Sequence, residues 1–335
     1  MSIPAGGTPT LRDVAEAAGV STATVSQVIN NKPGARIGKD ARRRVLEAVD
    51  QLGYRPNRLA KTLQSGSSRF IGLVADAIAT TPFAGQIIHG AQDEAWKHGF
   101  VLLVANTEAH PDVEADAITM MLEHQVRGIL YSTWYHREVA VPVGLGETDV
   151  VLVNCFAEDS NLPAVVPDEE AGGYEATRLL VAAGHSKIAF VNTTTASPAQ
   201  EGRLAGYRTA LEKAGLEFDP ALVFTASPEQ EGGYEATSAM LATGATGVFC
   251  HNDRVAMGLY DGLRERGLAI PDDVAIVGFD NQEVIAAHLR PPLTTVALPH
   301  YELGATGIRI LLGLDEVPAG GRLKINCPAI PRGSV

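Results

Sequence analysis

Cysteine is scarce in this chain. Cys155, Cys250 and Cys327 are the only three in 335 residues, and no two share a CxxC spacing. That argues against a disulfide framework or a cysteine metal site and suits reduced, buried thiols. No run approaches the ~18 apolar residues of a membrane span. The opening "MSIPAGGTPT" lacks the basic start and apolar run of a signal peptide. Catalytic signatures are missing as well: there is no GxGxxG after a strand, no GxxxxGK[ST], no HExxH and no GxSxG. The nine histidines are dispersed, none at zinc-ligand spacing. No cofactor, metal or catalytic residue is therefore expected. No solenoid period and no terminal leucine heptads are present, which argues against a repeat protein and a coiled-coil tetramer.

What is there is an ordinary globular composition, 45% hydrophobic and 20% charged, at a length that suggests two or three domains. The net charge of −12 hides an asymmetry. Residues 1–69 hold 11 Lys+Arg against 5 Asp+Glu, a balance of +6; the remainder holds 16 against 34, a balance of −18. A basic head on an acidic body suggests that only the head meets a polyanion.

Within that head, "TLRDVAEAAGV" spells a short helix. Thr10 and Asp13 stand three apart as in a capping box, Leu11, Val14, Ala15 and Ala18 share a face, and Gly19 ends it. Ser21 caps a second helix with Val25, Val28 and Ile29 inward. "KDARRRVLEAVDQLGY" is a third, with Val45, Leu46, Val49 and Leu52 inward. Any three-helix bundle could show such periodicity, but two short helices broken at a glycine fit a helix-turn-helix. The second helix, inside "VSTATVSQVIN", carries no charge. Small hydroxyl side chains suit the floor of a major groove, while phosphate attraction falls to Arg12, Arg36, Lys39, Arg42, Arg43, Arg44, Arg55 and Arg58. "RPNRLAKTLQSG" follows, a helix of about eight residues, too short to be stable alone in water. It is expected to order only when paired on DNA.

From Phe70 apolar strands alternate with amphipathic helices. Strands are expected at 70–75, 100–105, 128–131, 150–154, 187–191, 248–250 and 274–279, and helices at 83–98, 168–183, 201–214 and 252–266. Continuous apolar strands between helices imply parallel sheets. "GGYEAT" occurs at 172–177 and again at 232–237; nothing around it matches over a longer period, so it reads as coincidence or a weak internal echo. Polar residues close several strands: Asn154, Asn252 with Asp253, and Asp280 with Asn281. Parallel sheets bind ligands beyond such strand ends. Helix capping is an alternative, compatible role for Asn252 and Asp280.

The segment from "TLRDVAEAAGVSTATVSQVINN" through "GYRPNRLAKTLQSG" to "RFIGLV" closely resembles the lactose-repressor (LacI) family of bacterial transcription regulators. The body, with "GHSKIAFV", "RLAGYRTAL", "CHNDRVAMGLYDGLRERG", "VAIVGFDN" and "PPLTTV", resembles that family's type I periplasmic-binding-protein sensor. The resemblance implies that Thr22 and Ala23 read bases, with Ser21, Thr24 and Ser26 at backbone or base edges. It implies DNA contacts for Thr10, Gln27, Asn30, Arg36, Tyr54, Asn57, Arg58 and Ala60, and a minor-groove wedge in Leu63. It implies an effector held by Arg203, Asn252 and Asp280 on one side of a cleft and by Asp76, Pro82, Phe83 and Asn154 on the other.

Three departures from the family pattern stand out. Gln27 replaces a usual arginine, so an amide suited to adenine stands where guanine is commonly read. Gly38 replaces a usual hydroxyl cap. Ser227-Pro228-Glu229 replaces a usual sugar-stacking aromatic, which Trp134 and Tyr135 could supply instead.

The expected fold class is a small all-α helix-turn-helix head plus an α/β body of two parallel-sheet subdomains. The expected layout is a DNA-binding domain at 8–55, a hinge helix and linker at 56–69, and an effector-binding and dimerisation domain at 70–335. The latter divides into about 70–166 with 297–322, and 167–296 with 323–335. The expected function is that of a homodimeric, cytoplasmic, nucleoid-associated regulator, a repressor of a palindromic operator in double-stranded DNA under a small polar effector, without membrane contact. A transport-type ligand-binding protein would share the body but need a signal peptide and no head; a sugar-processing enzyme would need a nucleophile–base pair.

Overall fold

The structure, a computed structural model, describes residues 9–30, 37–54, 68–81, 84–318 and 321–335. The expected hinge helix, with Asn57, Arg58, Ala60 and Leu63, lies outside the described residues, as do Arg36, Pro82 and Phe83. The chain divides into two compact units, Met1–Ser68 and Arg69–Val335.

The first unit is built from α1 (Leu11–Ala18), α2 (Thr22–Ile29) and α3 (Lys39–Leu52). Local rules set their ends. Asp13 accepts from the Thr10 backbone N–H at 2.7 Å while the Thr10 hydroxyl accepts from Asp13 N at 3.4 Å, a complete capping box. Gly19 takes the left-handed conformation, φ 62°, that closes α1. Ser21 Oγ accepts from Thr24 N at 3.2 Å and starts α2, whereas Gly38 gives α3 no side-chain cap. Val14, Ala15, Ala18, Val25, Val28, Val45, Ala48 and Tyr54 form the core. Leu46 is not part of it: it is 50% exposed, and Ala48 takes its place. Val45, Ala48, Val49 and Leu52 follow the i, i+3, i+4, i+7 stripe, and Leu46 stands 100° away from it.

The second unit contains two six-stranded sheets. In the first, β1 (Phe70–Ala75), β2 (Val101–Asn106), β3 (Ile129–Glu138), β4 (Val150–Phe156), β5 (Ala164–Pro167) and β11 (Arg322–Ile325) lie in the order β11-β5-β4-β3-β1-β2, all parallel. In the second, β6 (Ile188–Thr193), β7 (Val223–Ala226), β8 (Gly247–Cys250), β9 (Ala275–Asp280), β10 (Thr294–Ala297) and β12 (Ala329–Ile330) lie in the order β12-β10-β9-β8-β6-β7. Only β12 among them runs antiparallel, against β10. The intervening helices are α4 (Gly85–Lys97), α5 (Pro111–Glu123), α6 (Glu169–Ala182), α7 (Pro198–Lys213), α8 (Gln230–Ala242), α9 (Asp253–Glu265) and α10 (His300–Leu311).

The subdomain boundaries differ from expectation at the C-terminal side. Ala297 still pairs with Asp280 in the second sheet, and the strand Arg322–Ile325 lies wholly in the first, so 323–325 belong with the first subdomain. Backbone pairing decides this: Leu323, Lys324 and Ile325 are in register with Val165, Val166 and Pro167. Strand β3 also outruns its expected end, continuing past an irregularity between Ser132 and Arg137 as far as Glu138.

The doubled "GGYEAT" is a packing device rather than a coincidence. A Cβ on Gly173 would lie 2.4 Å from the Arg203 carbonyl oxygen, and one on Gly233 would lie 2.0 Å from that of Val255. Thr177 and Thr237 each donate back to the carbonyl of that glycine at 3.0 Å. The partner helices answer with their own glycines. A Cβ on Gly206 would meet the Glu170 oxygen at 2.1 Å, and one on Gly258 the Gln230 oxygen at 1.9 Å. Two helix pairs, α6 with α7 and α8 with α9, therefore touch backbone to backbone.

Candidate functional site

In the head, α2 presents Ser21, Thr22, Ala23 and Asn30 to solvent, with Thr24, Ser26 and Gln27 half-buried beside them. Val25 and Val28 pin the opposite face into the core. The Asn30 amide donates to the Ser26 carbonyl at 2.9 Å. Tyr54 is buried in the core of the head. An exposed edge of small hydroxyls on a helix pinned by its apolar face, within a basic unit, can reach base edges chemically.

In the body, a cavity of about 220 Å³ is walled from both sheets. The irregular end of β3 brings in Trp134, Tyr135 and His136; Asn154 comes from the C-terminal half of β4, and Leu298 and His300 from the strand-to-helix crossing. The second subdomain contributes Thr193 and Asp280 from its strands, Ser197, His251 and Asn252 from the segments that follow strands, Arg203 from α7, Arg254 from α9 and Glu169 from the first turn of α6. Asn154, inside β4, and Asp280, the last residue of β9, have φ of 59° and 98°, where a short polar side chain can bond locally. Arg203 is the central group. Its Nε donates to Glu169 at 2.9 Å, its Nη1 donates to the His251 carbonyl and lies 3.8 Å from Asp280, and its guanidinium stacks 3.7 Å from the centre of the Phe279 ring. Asn252 caps α9 through Val255 N at 2.8 Å and donates to the Pro228 carbonyl at 2.8 Å.

The charges of this cluster follow from burial and pairing. Burial alone would raise the Glu169 carboxyl, but Arg203 and then His136 outweigh it and hold it down to about 2. Burial raises Asp280 against the pull of Arg203. Asp253, accepting from Thr295 and from Gln282 N at 2.6 Å each, is raised well above the usual range by burial and by Asp280. Burial and then Arg203 push His251 well below its usual value. Burial pushes His300 down to about 4, opposed by Glu169 and helped by Arg203.

Matches to known families follow the same division. Residues 10–57 match the model described as bacterial regulatory proteins, lacI family, and residues 68–322 match periplasmic binding proteins and sugar binding domain of LacI family. The chain belongs to the LacI family. It is 33% identical over 309 residues to the HTH-type transcriptional regulator RegA of Clostridium saccharobutylicum, covering 91% of this chain and 92% of RegA. The HTH-type transcriptional repressor PurR of Vibrio campbellii is 34% identical over 313 residues, with 90% and 91% covered. Among solved structures, the lac repressor dimer bound to operator and the anti-inducer ONPF superposes with a TM-score of 0.79 at 25% identity, covering 98% of this chain and 99% of that one. This LacI-family chain is a DNA-binding transcription regulator and not an enzyme.

Of the effector residues expected in this LacI-family body, the cavity brings together Asn154, Arg203, Asn252 and Asp280. Asp76 stands behind the wall. It accepts from Ala77 N at 2.6 Å and Trp134 N at 2.9 Å, and pairs with Arg137 at 3.2 Å, which fixes the course of β3. Sequence reasoning missed Glu169, His136, His251, Arg254 and His300. The strand-end rule could have reached His251, which directly precedes Asn252. Nothing in the local sequence marks Glu169. No helix among the described residues is long and apolar enough to cross a membrane.

His300 gives the body an acid-sensitive element. Its usual value is 6.5 and its folded value about 4. Between these the unfolded chain binds a proton that the folded chain refuses, so stability rises with pH across that window and is lost on acidification. From roughly pH 6.5 to pH 5 the loss from this one group is about 2 kcal/mol. The expected outcome is that thermal melting of His300→Asn falls less steeply with acidification than that of the wild type; parallel pH profiles would count against it.

Proposed function

We propose that the protein is a homodimeric, cytoplasmic repressor of a palindromic operator whose affinity for DNA is set by a small polar metabolite bound at Asn154, Arg203, Asn252 and Asp280. The single observation that carries this reading is the cavity lined by both sheets around the buried Arg203. A ligand touching both walls has different contacts when the subdomains shift, and only differential contact can move a conformational equilibrium. Thr22 and Ala23, exposed at the start of α2, are the base readers, with Ser21, Thr24, Ser26 and Gln27 beside them. Leu63 is the wedge at the operator centre, and Asn57 and Ala60 lie near the DNA. Dimerisation is supported by the likeness to a dimeric repressor–operator complex and by the two-fold symmetry that palindromic sites share with the proteins that bind them.

The test joins two measurements. Selection of DNA from a random pool should return a palindrome for the wild type, and exchanging Thr22 with Ala23 should change the preferred bases in each half-site while non-specific binding stays about the same. Operator affinity should then be measured against a panel of sugars, nucleosides and related metabolites. A compound that shifts wild-type affinity should leave Asp280→Asn unmoved at the same concentration, because an effector that no longer distinguishes two states cannot shift them. An unchanged consensus after the exchange removes the base-reading assignment, and a wild-type response in Asp280→Asn removes the cleft assignment.

A further inference from the structure

Glu169 has no part in the capping, the strand ends or the sheet architecture, yet its side chain is only 4% exposed. It enters the cavity from the first turn of α6, and its two oxygens face different subdomains. Oε2 accepts from Arg203 Nε at 2.9 Å within the second, and Oε1 stands 3.5 Å from His136 Nδ1 of β3, on the wall of the first. We propose that Glu169 sets the charge class of the effector: by neutralising Arg203 inside the cavity, it reserves the site for an uncharged polar ring compound and refuses carboxylates and phosphates. This rests on the reading that the cavity is the effector site.

The charge balance of the walls supports the assignment. Two guanidinium groups line the cavity, and each meets a carboxylate of the chain. Arg203 has Glu169 at 2.9 Å and Asp280 at 3.8 Å, and Arg254 has Glu229 at 3.2 Å. With Asp280 ionised the four charged groups of the lining sum to zero, and Glu229, 57% exposed outside the lining, adds a negative charge beside Arg254. Whatever the state of Asp280, each lining guanidinium keeps a carboxylate of the chain against it, so an anion would have to compete for it. His251 and His300, both pushed toward the neutral form, add none, and His136, the third histidine of the wall, faces Glu169 itself at 3.5 Å. An incoming carboxylate or phosphate must therefore lose its hydration without gaining an unpaired cation, which is costly in a buried site. An uncharged ligand meets no such penalty. It finds hydroxyls in Thr193 and Ser197 and an amide in Asn154, and ring faces in Trp134 and Tyr135, packed edge to face at 4.8 Å between centroids.

The experiment uses the full chain, isothermal titration calorimetry and inorganic sulfate as the probe, at a pH near 8 where an ordinary imidazole is neutral. Wild type should take up sulfate at the cavity at least about tenfold more weakly than Glu169→Gln, which leaves Arg203 partly uncompensated, a difference of about 1.4 kcal/mol. The gained affinity should vanish in Glu169→Gln/Arg203→Met, which places it in the cavity rather than on the basic head. Equal sulfate affinity in wild type and Glu169→Gln, or a gain that survives the double change, overturns the proposal.

A second arm needs no variant, and so decides the matter even if Glu169→Gln fails to fold. Wild type is titrated with matched pairs: ribose and ribose 5-phosphate, glucose and glucuronate, adenosine and its monophosphate. Tighter binding of any anionic member than of its neutral parent overturns the assignment; binding confined to neutral members supports it. Operator affinity measured alongside separates the two ideas. An anion that binds wild type and shifts operator affinity sinks the charge rule and keeps the effector reading. A neutral compound that binds without shifting it keeps the charge rule and sinks the effector reading.

Discussion

Arg203→Ala is expected to destabilise the body by about 3–5 kcal/mol, because removing one partner of a buried ion pair strands the other. Here two carboxylates are stranded, Glu169 at 2.9 Å and Asp280 at 3.8 Å, and the Phe279 ring loses the cation stacked on it. The side chain is 3% exposed, so water does not replace what is lost. The second change that tests the cause is Glu169→Gln. In the double variant the worse of the two stranded charges is gone, so stability should recover in part, giving a coupling energy that two independent sites would lack. Urea unfolding of the wild type, both single variants and the double variant measures it. A single variant within about 1 kcal/mol of the wild type, below the range for a broken buried pair, would mean that the guanidinium is far better hydrated than its burial indicates.

Gly206→Ala is the second large effect. In an exposed helix the exchange would stabilise by up to ~1 kcal/mol. In α7 the new methyl would lie 2.1 Å from the Glu170 carbonyl oxygen and 2.4 Å from Tyr174 N, both backbone atoms that no rotamer change can move. Helices α6 and α7 must separate, and overpacking of this kind costs about 1–3 kcal/mol or more. Gly85→Ala in α4, where an added Cβ meets nothing within 4 Å among the described residues, is the control with the opposite sign. Melting temperatures should fall for Gly206→Ala and hold or rise for Gly85→Ala. Equal melting temperatures would show that the helix pair yields easily.

The head was largely legible in the sequence because its boundaries are written in neighbouring residues. Thr10 with Asp13, Gly19, and Ser21 each act within four positions of themselves. The exception is Leu46, whose residue type suits a core but whose helical angle turns it to solvent while Ala48 faces inward. In the body, long apolar strands such as Phe70–Ala75 and Val150–Phe156 were visible. The four-residue strands Ala164–Pro167, Val223–Ala226, Thr294–Ala297 and Arg322–Ile325 were not, since so short a segment becomes a strand only through its neighbours.

The site divides in the same way. Asp280 closes β9 and Asn252 follows β8, as a rule of sheet topology leads one to expect, whereas β4 runs two residues past Asn154; Arg203 came through the family likeness. Glu169 resembles any acid in the first turn of a helix, where the dipole favours it, and only the approach of Arg203 and His136 marks it as part of the cavity. The doubled "GGYEAT" was visible as a string, but its meaning required the opposing backbone of Arg203 and Val255.

The chain passes between the two sheets three times, after β5, after β10 and after β11. During synthesis the first sheet must therefore wait. By the time Pro167 has emerged it holds five of its six strands, but α10, which shares the covering of one face with α4, and the edge strand β11 are still more than a hundred residues away. That face, with Ile71, Leu73, Leu130 and Val153, has Ile87, Ala91 and Ala95 of α4 against it but lacks Leu303, Ile308 and Leu311 of α10 while the whole second sheet is made. Such long-range closure slows folding and leaves apolar surface open to aggregation. On the ribosome the two halves are thus bound to finish together, and slowing translation between residues 168 and 299 should lengthen the exposure of the first half rather than help it fold.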